Sequence, residues 1–234
     1  MSEPELTFET INNYGGHQSS AVAFDLRNST KVVRALSLQA DRKKLRKHTD
    51  FMIELNKIVF QREAYDRRKS YAVNDTGDGF VFVSWAERHA VECLKLAVAL
   101  SDHMDTMLVN HNRDLGLSEE LSLDYGIGLH SAGSLIYRCE KIRRDFIYGI
   151  VINTAARLES FTKNFVDTKI LLTGYFRQAL GTQLPRGQLE KWKCFIKLVT
   201  KYRVDIRDEN SKGHTLFTVE NAASLMNEVK AIVL

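Results

Sequence analysis

The stretch YAVNDTGDGFVFVS, residues 71–84, sets two short β-prone runs, Tyr71 to Asn74 and Gly79 to Ser84, on either side of the polar turn DTGD. A glycine-bearing polar turn between such runs closes a hairpin, because glycine takes the backbone angles that tight connections need. A hairpin in mid-chain demands an antiparallel sheet, and the flanking segments say what surrounds it. Ser19 to Leu26 reads as a preceding strand, and Ser29 to about Tyr65 as helices with a basic surface face around Arg42 to Lys47. Ala86 to about Asn110 places Ala90, Leu94, Leu96, Ala97 and Leu100 at helical spacing, which predicts an amphipathic helix. Leu121 to Leu129 alternates as a strand, Ile150 to Phe161 reads as a helix and Thr168 to Thr173 as a strand, while 192–207 and 214–219 form a closing antiparallel pair. Strands and helices in this mixed order favour an α+β fold, a sheet covered by helices. No repeat and no linker rich in Gly, Pro or Ser divides the chain, so one domain over residues 1–234 is expected.

Composition narrows the function classes. With 44% hydrophobic residues in 234, the chain can bury a sizeable core. The 33 basic residues are nearly matched by 29 acidic ones, and a net charge of +4 is too mild to imply nucleic acid, though it suits an anionic substrate. Cys93, Cys139 and Cys194 are far apart and odd in number, so neither a disulfide framework nor a CxxC metal site is expected. No apolar run approaches the roughly 18 residues of a membrane span, and the first residues lack a basic-then-apolar signal pattern. The expectation is a cytoplasmic protein with no membrane partner.

Three polar constellations carry the chemistry. Asp25 ends the apolar run AVAF and precedes the turn-formers of RNST. It either caps the next helix or shares a metal ion with a second carboxylate. Asp78, between Gly77 and Gly79 at the hairpin tip, is the candidate partner; taken alone it reads first as an Asx turn. If the hairpin lies beside the strand ending at Asp25, the two carboxylates meet and can hold Mg²⁺ or Mn²⁺, with substrate phosphates and water completing the shell. In YGIVINTAARLES, residues 148–160, Asn153 and Arg157 stand four apart and project from one helix face beside small residues. That pair suits phosphate or ribose oxygens, or else a surface ion pair and a helix cap.

Taken in order, AVAFDLRNST, TGDGFVF, LDYGIGLHSAG and DFIYGIVINTAARLES resemble the catalytic domain of class III nucleotidyl cyclases over roughly residues 19–220. The resemblance implies a ferredoxin-like, mostly antiparallel sheet covered by helices. It also implies that Asp25 and Asp78 hold two ions, Mn²⁺ or Mg²⁺, with the Leu26 carbonyl as a further ligand. Asn153 would orient the ribose and Arg157 would stabilise charge on the α-phosphate. Arg207 is the best positional match for a residue holding the β- and γ-phosphates, with Lys201 as its rival. In the family, the carboxylate pair and the Asn-Arg helix of one chain meet only across two chains, so a homodimer with shared active sites is expected.

Two positions depart from the family's purine patterns. Adenylate cyclases place a Lys three residues before the first glycine of the hairpin turn and an Asp three before the glycine that opens the Asn-Arg helix; guanylate cyclases use a Glu and a Cys-like residue. Here those positions are Asn74 and Phe146. An amide can pair with the N3 edge of uracil or cytosine, and Phe146 narrows the space and offers a stacking face. That profile resembles the pyrimidine cyclases of the Pycsar anti-phage systems. It implies conversion of UTP to 3′,5′-cyclic UMP and pyrophosphate, as an antiviral signal read by a separate cyclic-nucleotide-sensing effector. A cytidylate cyclase, an adenylate cyclase with relaxed base contacts, and a catalytically silent cyclase-like binding module are the alternatives.

Overall fold

The structure, a computed structural model, describes residues 15–60, 70–73, 78–139, 144–165, 167–199, 214–222 and 224–225. The apolar run before Asp25 becomes the middle of β1 (Gly15–Arg27). Side chains alternate across a strand, and here the alternation assigns the two faces of the sheet. Val22, Phe24 and Leu26 enter the main core with Phe80, Phe82, Tyr125, Ile127 and Leu129, whereas Ala21 and Ala23 turn to the opposite face with Val83.

β1 pairs antiparallel with β3 (Gly79–Ser84) on one side and with β4 (Asp124–Cys139) on the other. β2 (Ser70–Val73) completes the hairpin with β3, as the turn chemistry requires. β5 (Arg144–Tyr148) folds back on the far half of β4, and β6 (Ile170–Thr173) runs parallel to its near half. β7 (Ile196–Leu198) and β8 (Leu216–Val219) close the other edge as an antiparallel pair. The eight-stranded sheet has the order β2-β3-β1-β4-β6-β8-β7, with β5 attached to β4. The only parallel pairing among the described strands is β4 with β6, so the expected α+β, mostly antiparallel sheet is what forms.

Among the described residues five helices pack on one face: α1 (Ser29–Leu38), α2 (Arg42–Phe60), α3 (His89–Leu115), α5 (Gly174–Gln183) and α6 (Arg186–Lys193) all contribute side chains to the main core. α4 (Ile150–Phe161) covers the opposite face, where Val151 and Ala155 meet Ala21 and Ala23. It lies almost flush on β4 because Gly126 and Gly128 present no side chains. A Cβ on Gly128 would collide with the Ala155 carbonyl oxygen and stand 2.5 Å from the Glu159 backbone nitrogen. Both obstacles are backbone, so Gly128→Ala must push α4 off the sheet. We expect a loss of about 1–3 kcal/mol, in line with overpacked cores, read as a lower denaturation midpoint. An unchanged midpoint would contradict the close approach.

Several elements differ from their sequence reading. β4 begins at Asp124 and runs on to Cys139 because its second half is held between the start of β1 and β5. Its alternation is broken there by Gly133 and polar residues, which hid it. α5, α6 and β5 are short elements that hydrophobic spacing did not reveal. The beginning of the 192–207 run is the end of α6, with Trp192 only 1% exposed, and the strand that follows spans Ile196–Leu198 among the described residues.

Candidate active site

The register of β1 against β3 brings the two carboxylates together. Asp25 is paired with Gly79, the first residue of β3, so Asp78 lies just past the end of that ladder. The Leu26 N–H donates to the Asp78 carbonyl at 3.3 Å, fixing the hairpin end against the strand end. Asp25 does not cap α1: the residue before that helix is Asn28, in a left-handed conformation (φ 65°), with its Nδ2 donating to the Ser122 carbonyl at 2.9 Å. The capping reading of Asp25 therefore fails, and both carboxylates open on one cavity of about 570 Å³. Leu26, the first turn of α1 (Ser29, Thr30, Lys31) and Lys163 complete much of its wall. The first turn of a helix offers unpaired backbone N–H groups and the positive end of the dipole, which favour anions.

Burial raises the Asp25 carboxyl above its ordinary range and the Asp78 charge raises it further, while Lys163 and Arg27 pull it back. Two acids held this way repel each other until a cation sits between them, and hard carboxylate oxygens suit a divalent one. Among the described residues no group of three or more His, Cys, Asp and Glu side chains is placed to hold a metal. The donor set is thus two carboxylates beside the Leu26 backbone, and it fits a cation whose remaining ligands come from substrate and water.

Asn153 and Arg157 occupy successive turns of the exposed face of α4, while Val151, Thr154, Ala155 and Leu158 fill its buried face. Gly149, with φ 147°, makes the sharp entry from β5 into this helix, a conformation that side chains beyond glycine rarely take. Neither Asn153 nor Arg157 lines the Asp25–Asp78 cavity. Phe146 lies in β5, paired in register with Tyr137. Asn74, Lys201 and Arg207 fall outside the described residues. Sequence reasoning missed Lys163, just after α4, and Arg27, two residues beyond Asp25 on the same strand face. Arg27 reaches the site through the two-residue alternation of β1, whereas Lys163 comes to it only because α4 packs against β1 and β4.

The chain belongs to the family of adenylate and guanylate cyclase catalytic domains, whose model matches residues 18–193 of its 234. Solved structures agree on the fold. The adenylyl cyclase CyaB from P. aeruginosa superposes with a TM-score of 0.63 at 16% identity, over 89% of this chain and 96% of that one. The guanylate cyclase domain of RhGC from Catenaria anguillulae, solved in complex with GTP, gives 0.55 at 16% identity, over 87% and 96%. A non-canonical dimeric guanylyl cyclase domain of the RhoGC fusion protein from Blastocladiella emersonii gives 0.52 at 18% identity, over 88% and 97%. No curated protein sequence matches the chain. Among the described residues no helix is long and apolar enough to cross a membrane.

Proposed function

We propose that the protein is a metal-dependent nucleotidyl cyclase that converts a pyrimidine nucleoside triphosphate, UTP before CTP, to the 3′,5′-cyclic monophosphate and pyrophosphate. The observation that carries the reaction class is the meeting of Asp25 and Asp78 at a cavity that also holds a helix N-terminus and Lys163. Carboxylates alone would repel a triphosphate; carboxylates that hold cations, beside a helix start and a lysine, attract one.

In this reading Asp25 and Asp78, with the Leu26 carbonyl, hold Mn²⁺ or Mg²⁺, two ions per site. Cations held there would acidify the ribose 3′-hydroxyl and would offset the charge of the transferring phosphoryl group. The α1 start and Lys163 steady the phosphates, and Arg207 or Lys201 closes on the terminal ones. Asn153 orients the ribose and Arg157 neutralises charge developing on the α-phosphate, so its contribution is largest in the transition state. The 3′-oxygen attacks the α-phosphorus in line, the bond to the β-phosphate oxygen breaks and pyrophosphate departs. Since neither Asn153 nor Arg157 lines the cavity of its own chain, they serve the carboxylates of a second copy in a two-fold homodimer.

The base preference rests on Asn74 and Phe146 standing where purine cyclases of the family carry other residues. Product analysis with ATP, GTP, CTP and UTP at equal concentration and Mn²⁺ tests it. Cyclic UMP should dominate with cyclic CMP second; a clear preference for ATP overturns the pyrimidine assignment, and silence with all four favours a binding module. Under the same reading the product is an antiviral signal for a separate effector, and cells carrying an active protein should resist phage where an Asp78→Ala variant does not.

A further inference from the structure

A second acidic group, which this chemistry does not use, lies beneath the carboxylate pair. Glu159 follows Arg157 on α4 but turns inward and is 5% exposed. Its Oε2 accepts a hydrogen bond from Ser160 Oγ at 3.1 Å, while Oε1 is buried with no hydrogen-bond partner. Oε1 lies 2.7 Å from the point where a Cβ on Gly126 would stand, and Arg27 Nη2 lies 2.8 Å from the same point. Gly126 is the cross-strand partner of Asp25. The absent side chain therefore leaves a gap beside Asp25 in which an acid from α4 and a guanidinium from β1 face each other. Burial and then the Asp25 charge raise the Glu159 carboxyl above its ordinary range, while Lys163, the Ser160 hydrogen bond and Arg27 each pull it back.

Arg27 is a hazard to the site it adjoins. It shares a strand face with Asp25, its charge already acts on that carboxylate, and arginine forms tight two-pronged pairs with carboxylates. Such a pair would occupy the oxygens a cation needs. In the structure the guanidinium is instead tethered away: Nη1 donates to Asp124 Oδ2 at 2.9 Å and Nη2 to Thr162 Oγ1, with the Glu159 charge on the α4 side.

We propose that Glu159 is a positioning residue for the metal site, holding the Arg27 guanidinium toward α4 so that the Asp25 oxygens stay open to a divalent cation. The proposal rests on the reading of Asp25 and Asp78 as the cation-holding pair. Its role is through charge, so the isosteric Glu159→Gln removes it with little change in volume.

Mn²⁺ binding to the purified protein, followed by electron paramagnetic resonance of the free ion, is the test. Glu159→Gln should weaken Mn²⁺ about tenfold or more, because the released Arg27 guanidinium would compete for the Asp25 oxygens. It should raise the Mn²⁺ needed for half-maximal turnover to match, with kcat at saturating Mn²⁺ within about twofold. Glu159→Asp, which keeps the charge, should bind within about threefold of the parent. Adding Arg27→Gln to Glu159→Gln removes the competitor and should restore Mn²⁺ affinity. In an Asp25→Asn chain Glu159→Gln should have no further effect. Parental Mn²⁺ affinity in Glu159→Gln, or no recovery in the double variant, overturns the proposal. If Asp25→Asn itself leaves Mn²⁺ binding unchanged, the cation reading of the carboxylate pair falls, and this proposal with it.

Discussion

Asp25→Asn should reduce turnover about 10³-fold or more while leaving the fold intact or slightly stabilised. The catalytic side follows from charge: a carboxylate-held cation supplies several kcal/mol of transition-state stabilisation, and each 1.4 kcal/mol is a factor of ten. The stability side follows from the same residue's surroundings. Burial and the neighbouring Asp78 disfavour the Asp25 anion in the metal-free protein, so a neutral amide of the same shape relieves repulsion. Asp78→Asn should lose activity in the same way. Turnover is read from pyrophosphate release and stability from the thermal midpoint in chelator. Activity near the parent level would end the metal assignment, and a collapsed midpoint would mean that Asp25 serves structure instead.

Mixing two dead proteins should return activity. Under the proposed function, Asp25→Ala removes the cation-holding half of a site and Arg157→Ala the charge-neutralising half. If sites are shared, a mixed dimer has one site with both defects and one with neither. In a freely exchanging equimolar mixture about half the dimers are mixed, so about a quarter of the parent activity should reappear. The structure motivates the expectation: α4 covers a face of the sheet apart from the other helices, and it presents Asn153 and Arg157 outward and away from its own cavity. Differently tagged chains establish that mixed dimers form. Should they form and stay inactive, each chain must complete its own site, and Arg157 has another role.

Much of the fold was legible because it rests on local chemistry. The hairpin around Asp78 needed only its turn residues and two β-prone runs, and α4 was read as a helix over its whole length, Ile150–Phe161. β5, α5 and α6 were not legible, because short elements carry too few residues for a period to show. β4 was read at half its length, since its far half is a strand through pairing with neighbours and not through its own alternation. Of the candidate site residues, Asp25, Asp78, Asn153 and Arg157 stood out as polar residues at the ends or faces of apolar elements. Lys163, Arg27 and Glu159 did not, because a lysine after a helix and an acid in mid-helix look like solvated surface until the packing is known.

The sequence by itself determined which residues are candidates for the chemistry: two carboxylates at glycine-flanked or strand-end positions, and an amide and a guanidinium one helical turn apart. These follow from residue type and spacing, which act over a few residues. Only the tertiary structure decided which of them meet. The β1–β3 register carries Asp25 to Asp78 across fifty-three residues of chain, the glycines of β4 let α4 lie flush enough to bury Glu159 beside Arg27, and the outward face of α4 keeps Asn153 and Arg157 out of the cavity those carboxylates share. Such juxtapositions depend on strand pairing and close packing between distant segments, and no local pattern encodes them.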